Sequence, residues 1–225
     1  DLAFAISSLT SALLVGVATG NLIWGIPLDA RHEYQGGFLT LLRPYPLLVG
    51  LTTVALMVMH GNLYLILKTD GELGERLRRW SRWTVPIYLA CFAVLTVVTV
   101  LTCPHLHGVL KSRIVGLGVL LVASVAVTFN ILRQVRRGNE WWAFLSSCGS
   151  IVTLMMLFGL TLFPYLVIAR PDLANSLDVY NGASTAKSLG FMLVVALMGV
   201  PIVLAYTASI YYVFRGKVVL TEDSY

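Results

Sequence analysis

The sequence predicts an all-α membrane protein, a polytopic bundle of six transmembrane helices with both termini in the cytoplasm. Three observations predict it. Of 225 residues, 57% are apolar and only 12% are charged, with a mean hydropathy of +0.81. A soluble domain carries about 25% charged residues, and half that share cannot cover a globule with a solvated surface. The charges are also segregated. None falls between Asp1 and Asp29, or within Pro44–Leu67, Trp83–Leu110, Ile114–Leu132, Trp141–Ala169 and Ser188–Phe214, stretches of 27, 24, 28, 19, 29 and 27 residues. A hydrocarbon layer of ~30 Å needs roughly 20 helical residues, and the fourth stretch just reaches that length. Finally, ten Lys and Arg lie on the side holding the two termini, 68–82 and 133–140, against six on the other. The positive-inside rule puts the first set in the cytoplasm. A soluble enzyme, a nucleic-acid-binding domain and a disordered chain are excluded on the same grounds. The net charge of +5 is juxtamembrane Lys and Arg.

Each element follows in order. The first span ends at Gly25-Ile26-Pro27, and it is too long and too poor in basic residues for a cleaved signal peptide. Gly16 and Gly20 give it a G-x-x-x-G spacing suited to close helix packing. Pro44 and Pro46 open the second span. Lys68–Arg82 reads as a solvated loop of five basic and three acidic residues, in reach of anionic lipid headgroups. The third span ends at Cys103-Pro104. Phe163-Pro164 kinks or ends the fifth, and Pro201 lies inside the sixth. Strands are excluded because Leu117–Val127 and Phe191–Val200 are apolar on both sides. Trp24, Trp80, Trp83, Trp141 and Trp142, with Tyr211 and Tyr212, mark the membrane interfaces. No repeat relates the two halves, so the pattern of a transporter built on inverted repeats is absent. Residues 1–225 read as a single transmembrane domain.

The chemistry is mostly negative. No Asp, Glu, Lys or Arg lies inside a span, unlike a proton pump or carrier. Cys91, Cys103 and Cys148 form no C-x-x-C, so zinc ribbons and c-type haem attachment are unsupported. Cys103, His105 and His107 make three metal ligands without a fourth. His60 is the one His within a span, preceded by Met59 and followed by Gly61 and Asn62. Its sharp reading is a haem axial ligand or a proton relay. Its plain reading is a hydrogen-bonded residue that joins helices together with Asn62. Asn21, late in the first span, fits helix packing or contact with water or a quinone oxygen. Asp29, at the outer membrane edge, fits loop anchoring or proton entry. Asn21, Asp29, His60 and Asn62 are therefore the candidates for a proton path or a subunit interface, and no catalytic, cofactor-binding or metal residue is assigned. On these residues alone, a small transporter or channel component is a second reading.

Several strings carry a resemblance when taken in order. They are Gly20-Asn21-Leu22-Ile23-Trp24-Gly25-Ile26-Pro27-Leu28-Asp29, Leu42-Arg43-Pro44-Tyr45-Pro46, and His60-Gly61-Asn62-Leu63-Tyr64-Leu65 running into Lys68-Thr69-Asp70-Gly71-Glu72-Leu73. Leu162-Phe163-Pro164-Tyr165, Ser176-Leu177-Asp178-Val179-Tyr180-Asn181-Gly182 and Pro201-Ile202-Val203-Leu204-Ala205-Tyr206 follow. Together they resemble subunit II of the cytochrome bd-type quinol oxidases. The resemblance implies a multi-pass subunit of the bacterial cytoplasmic (inner) membrane, in a respiratory complex that oxidises quinol and reduces dioxygen. It implies a partner, subunit I, carrying two b-type haems and one d-type haem. It also implies small single-helix accessory subunits and, in some members, a bound quinone; no nucleic acid is expected. The chain itself then holds no redox haem, stabilises the haem subunit and helps line a proton or oxygen path. Family members begin with about three further helices, so the chain is expected to be the C-terminal portion of a longer subunit. The family's carboxylates in that region have no matching positions here.

Overall fold

A computed structural model describes residues 2–217. Asp1 and residues 218–225 lie outside them. Six helices are long and apolar enough to cross a membrane: α1 (Leu2–Trp24), α2 (Pro44–Lys68), α3 (Gly71–Thr102), α5 (Ile114–Arg136), α6 (Glu140–Leu162) and α7 (Ala186–Val213). A short α4 (His107–Ser112) links α3 to α5. The strands β1 (Tyr165–Val167) and β2 (Leu177–Asp178) pair antiparallel in the segment between α6 and α7.

The helix ends fall where backbone chemistry puts them. Gly25, at φ +92°, follows α1, and Pro44 starts α2 at its first turn. Phe163-Pro164 ends α6 outright rather than kinking it, so the last residues of that uncharged stretch form β1 and its flanks. Pro201 is accommodated inside α7. One expectation is corrected. Lys68–Arg82 is not a loop: only Thr69 and Asp70 separate α2 from α3, whose first three turns carry its charges. The apolar faces explain why. Gly74, Leu77, Ser81, Val85, Tyr88 and Phe92 are all buried, at helical spacing. At 32 residues, α3 spans about 48 Å and overruns the hydrocarbon layer.

α2 is the centre of the bundle, packed on α1, α3 and α6, while α5 packs on α6 and α3. The α1–α2 contact is close because it is built on glycine. A Cβ on Gly16 would stand 2.7 Å from the Gly50 Cα, and one on Gly20 would stand 2.7 Å from the Pro46 Cα. One apolar core, around Met59, Leu63, Val85, Tyr88 and Ile131, joins α2, α3, α5 and α6. A second, around Tyr45, Val49, Cys103, Leu106 and Ile168, closes the other end.

The two ends are separately bonded. At the basic end, Lys68 Nζ donates to the Phe214 carbonyl at 2.7 Å, Lys217 pairs with Asp70 (2.6 Å) and Glu140 (3.2 Å), and Arg78 pairs with Glu140. At the opposite end, Ile26 N–H donates to the Ile168 carbonyl and Arg170 N–H to the Ile26 carbonyl, both at 2.9 Å. His32 Nδ1 bonds the Asn175 carbonyl at 2.9 Å. The loops assigned to a common side from the charge pattern thus meet each other. α7 stands beside this bundle with no buried residue.

Candidate functional site

Each of the four candidate side chains has a local partner. Asn21 is buried, and its Nδ2 donates to the Val17 carbonyl (2.9 Å) and to the Leu41 carbonyl (2.8 Å) of the segment before α2. Asp29 organises its own turn. Oδ1 accepts from the backbone N–H of Glu33 (2.9 Å) and Arg31 (2.8 Å), and Oδ2 accepts from Gln35 Nε2 (2.7 Å). The Glu33 bond foremost, with those of Arg31 and Gln35 and nearby His32, holds the Asp29 carboxyl below the usual carboxylate range. Asn62 Nδ2 donates to Ser81 Oγ (2.9 Å) and the Leu77 carbonyl (3.2 Å), pinning α2 to α3. Its Oδ1 is buried and has no partner among the described residues.

His60 reaches the other way, to α6. Its Nδ1 lies 2.9 Å from Ser147 Oγ, and its ring packs on Phe144 at 5.1 Å between centroids. Ser147 has one hydroxyl proton, which it donates to the Phe144 carbonyl at 2.6 Å. Ser147 Oγ must therefore accept from His60 Nδ1–H; in the neutral ring this leaves the lone pair on Nε2. No side chain crowds the flank of Gly61.

These positions do not converge. Gly20 packs against Pro46, so Asn21 lies near the level of the start of α2. His60 is 14 residues further along, about 21 Å at the helical rise. Asn62 and His60 bond different neighbours.

Sequence reasoning missed the polar seam between α5 and α6. Thr128 Oγ1 and Ser150 Oγ are 3.1 Å apart, and Asn130 Nδ2 donates to Ser146 Oγ at 2.9 Å. Gln134 Nε2 donates to Asn130 Oδ1, and Asn139 Nδ2 to Gln134 Oε1. The signal was present as pairs four residues apart: Ser124 with Thr128, Asn130 with Gln134, and Ser146 with Ser150.

At the opposite end from the basic loops, Trp24 stacks on Tyr45 at 5.3 Å, under the Arg170 guanidinium at 5.0 Å. His105 Nε2 donates to the Ile23 carbonyl and His107 Nε2 to the Val100 carbonyl, each at 3.0 Å. Burial pushes His105 below the usual imidazole range. Among the described residues, no three His, Cys, Asp or Glu side chains are gathered as a metal would need.

An open-sided cleft of about 380 Å³ runs between α1, α2, α3 and α6, lined by Val49, Leu56, Phe92, Leu95, Leu154 and Phe158 among others. Six threonines line it as well, but the hydroxyls of five of them, Thr19, Thr52, Thr53, Thr96 and Thr99, each bond the carbonyl four residues back, which leaves Thr161. Its wall is consequently apolar in effect. Tyr45 OH, bonded to Thr99 Oγ1 at 3.0 Å, is its one phenol.

The chain matches the model of the family "Cytochrome bd terminal oxidase subunit II" over residues 1–214. It is 28% identical to the cytochrome bd-I ubiquinol oxidase subunit 2 of Escherichia coli K12, an alignment covering 97% of this chain and 65% of that protein. It is 28% identical to the cytochrome bd ubiquinol oxidase subunit 2 of Bacillus subtilis, covering 94% and 61%. With the probable cytochrome oxidase subunit 2 of Haemophilus influenzae it shares 26% identity, covering 92% and 62%. The chain thus spans somewhat less than two thirds of these relatives. A match along nearly the whole chain, on six membrane-length helices whose breaks fall at the motif residues, establishes that this chain belongs to the family of cytochrome bd terminal oxidase subunit II, multi-pass proteins of the bacterial inner membrane.

Proposed function

We infer that this chain works as the second subunit of a quinol:oxygen oxidoreductase, beside a subunit I that carries two b-type haems and one d-type haem. The observation that carries this reading is the family match over residues 1–214. The chain's own task is mechanical and insulating. It packs against the haem subunit, holds it in the membrane, and keeps water and lipid from its flank. The apolar, unburied sides of α1 and α7 suit that task. The quinol and dioxygen chemistry belongs to the complex, and no step of it is placed on a residue of this chain.

His60, whose Nε2 makes no bond among the described residues, and Asn62, with Oδ1 unpartnered among them, are the residues offered to a proton or water route along the partner. Asn21 and Asp29 serve the opposite end as a packing residue and a loop anchor. For a quinone, the cleft between α1, α2, α3 and α6 fits an isoprenoid tail: it is apolar, and its size lies in the range of small-molecule sites, about 300–1,000 Å³. It offers no charged group to the ring. Single-helix accessory subunits would add to the same lipid-facing flanks.

The test is to purify the complex from native membranes through a tag on this chain and record a reduced-minus-oxidised spectrum. Co-purified b- and d-type haem signals with quinol oxidase activity are expected. A preparation that holds this chain but no d-type haem overturns the reading.

A further inference from the structure

The last two turns of α5 carry an arrangement that the oxidase reading does not use. Phe129, Leu132, Arg133, Arg136 and Arg137 line a cleft of about 410 Å³. Their spacing of three, four, seven and eight residues from Phe129 puts all five on one side of the helix. The apolar pair comes first and the three guanidinium groups follow, over about 12 Å of helix. The order matches depth in a bilayer. The uncharged stretch of α5 ends at Leu132, so Phe129 and Leu132 lie at the acyl level and the arginines at the headgroup level.

The three arginines are exposed, and among the described residues none makes an ion pair or a side-chain hydrogen bond. Arg79 and Arg82 are likewise unpaired among the described residues, but they line no such cleft; several other cations are engaged. Arg78 and Lys217 take up Glu140 and Asp70 at the same end. Arg113 donates to the carbonyls of Leu160 and Phe163, and Arg170 covers Trp24. Two plainer causes account for the sign of the charge: cations suit a helix C-terminus, and basic residues suit the cytoplasmic side. Neither calls for three forked donors around one cleft with an aromatic floor. Guanidinium forks match phosphate oxygens in pairs, and basic pockets at the ends of spans hold anionic headgroups.

We propose that this side of α5 is a binding site for an anionic membrane phospholipid. Arg133, Arg136 and Arg137 take the headgroup phosphate, and Phe129 and Leu132 lie along the first methylenes of an acyl chain. A free anion would use only the upper half of this surface, and a soluble acidic protein would not use Phe129.

The test uses the intact complex in phosphatidylcholine nanodiscs, with phosphatidylglycerol or cardiolipin added and bound lipid read by native mass spectrometry. The expected result is retained anionic lipid that excess inorganic phosphate does not displace. The triple variant R133Q/R136Q/R137Q should lower anionic-lipid affinity on the order of a hundredfold, from about fivefold per surface cation. The triple Arg→Lys variant keeps the charge and loses only part of the affinity, because it loses the paired geometry. F129S weakens lipid retention while leaving phosphate binding alone. If the triple Gln variant does not assemble, the Lys and Ser variants decide the matter. Unchanged lipid retention in the charge and Ser variants overturns the proposal. So does displacement by phosphate with no effect of F129S, which would mean a free-anion site. Loss of a co-purifying protein with lipid retained would mean a protein site.

Discussion

At His60, one proton count assigns a role. Because Ser147 spends its proton on the Phe144 carbonyl, the histidine must donate from Nδ1, and the imidazole is oriented by α6. An interhelical bond of this kind is worth about 1 kcal/mol in a membrane, because the separated helices find other partners. His60→Ala and Ser147→Ala are each expected to lower the stability of the complex by about that amount. The double variant should lose little more than either single one, as read by detergent or thermal unfolding in a double-mutant cycle. The haem spectrum should survive in all three. If His60→Ala instead abolishes an absorbance band, the residue holds a cofactor, and the reading as a helix joint fails. A lone intramembrane His in the sequence points to hydrogen bonding between helices, and the bond to Ser147 is of that kind, while Asn62 bonds α3 instead. The partner was not legible. Ser147 lies 87 residues away in sequence, and nothing in one chain's spacing says which helix faces which. Asn21 and Asp29 follow the same rule. Their residue types signalled local bonding, and their partners, Leu41 for one and the turn to Gln35 for the other, came only with the fold.

At the scale of elements, the charge pattern and the breakers located the spans to within a few residues, apart from the start of α3. Cutting at charges put the border at Trp83, whereas burial of Gly74, Leu77 and Ser81 carries the helix back to Gly71. That periodicity was readable, but charge was given precedence over it. The segment from Pro164 to Thr185 was not readable at all, because its order comes from distant backbone partners such as Ile26 and Leu28. The α1–α2 joint shows the opposite case. Gly16 and Gly20 announced it by spacing, and the structure supplies the receiving surface, Gly50 and Pro46. In lipid, apolar faces gain little from meeting one another, so close backbone approach and dispersion carry such a contact. A branched side chain at Gly16 would press on Thr53 Oγ1 at 2.5 Å as well as on the Gly50 backbone. Gly16→Val is therefore expected to cost about 1–3 kcal/mol and to part α1 from α2. Gly61→Ala, where a Cβ meets nothing within 4 Å, should be tolerated and serves as the control. Equal melting temperatures for the two variants would refute the close-packing account.

For the whole molecule, the informative asymmetry is between α2 and α7. α2 has ten buried residues, and α7, longer and as apolar, has none. The described bonds that tie the segment just after α7 to the bundle are polar and lie beyond the hydrocarbon: Lys68 to the Phe214 and Gly216 carbonyls, and Lys217 to Asp70 and Glu140. The Asp70 bond, with Glu140 second, raises the Lys217 pKa above its usual value, so on the alkaline side the tie persists through neutral pH and is lost as the lysine is deprotonated in strong base. Phe191, Leu197 and Val203 are 71%, 66% and 62% exposed, and their spacing of six residues puts them on different sides of α7. An apolar span is content in lipid, so exposure alone does not identify what covers it. The family does supply an expectation: a subunit of an oxidase should spend an otherwise unused span on its neighbours. A photo-reactive residue placed in turn at Phe191, Leu197 and Val203 of α7, and at Phe4 of α1, should cross-link the haem subunit from at least one α7 position in native membranes. A position facing lipid should give lipid adducts only. Lipid adducts at every position, in a complex that still shows its haem spectrum, would take α7 and α1 out of the interface. The supporting role would then rest on the α2, α3, α5 and α6 bundle.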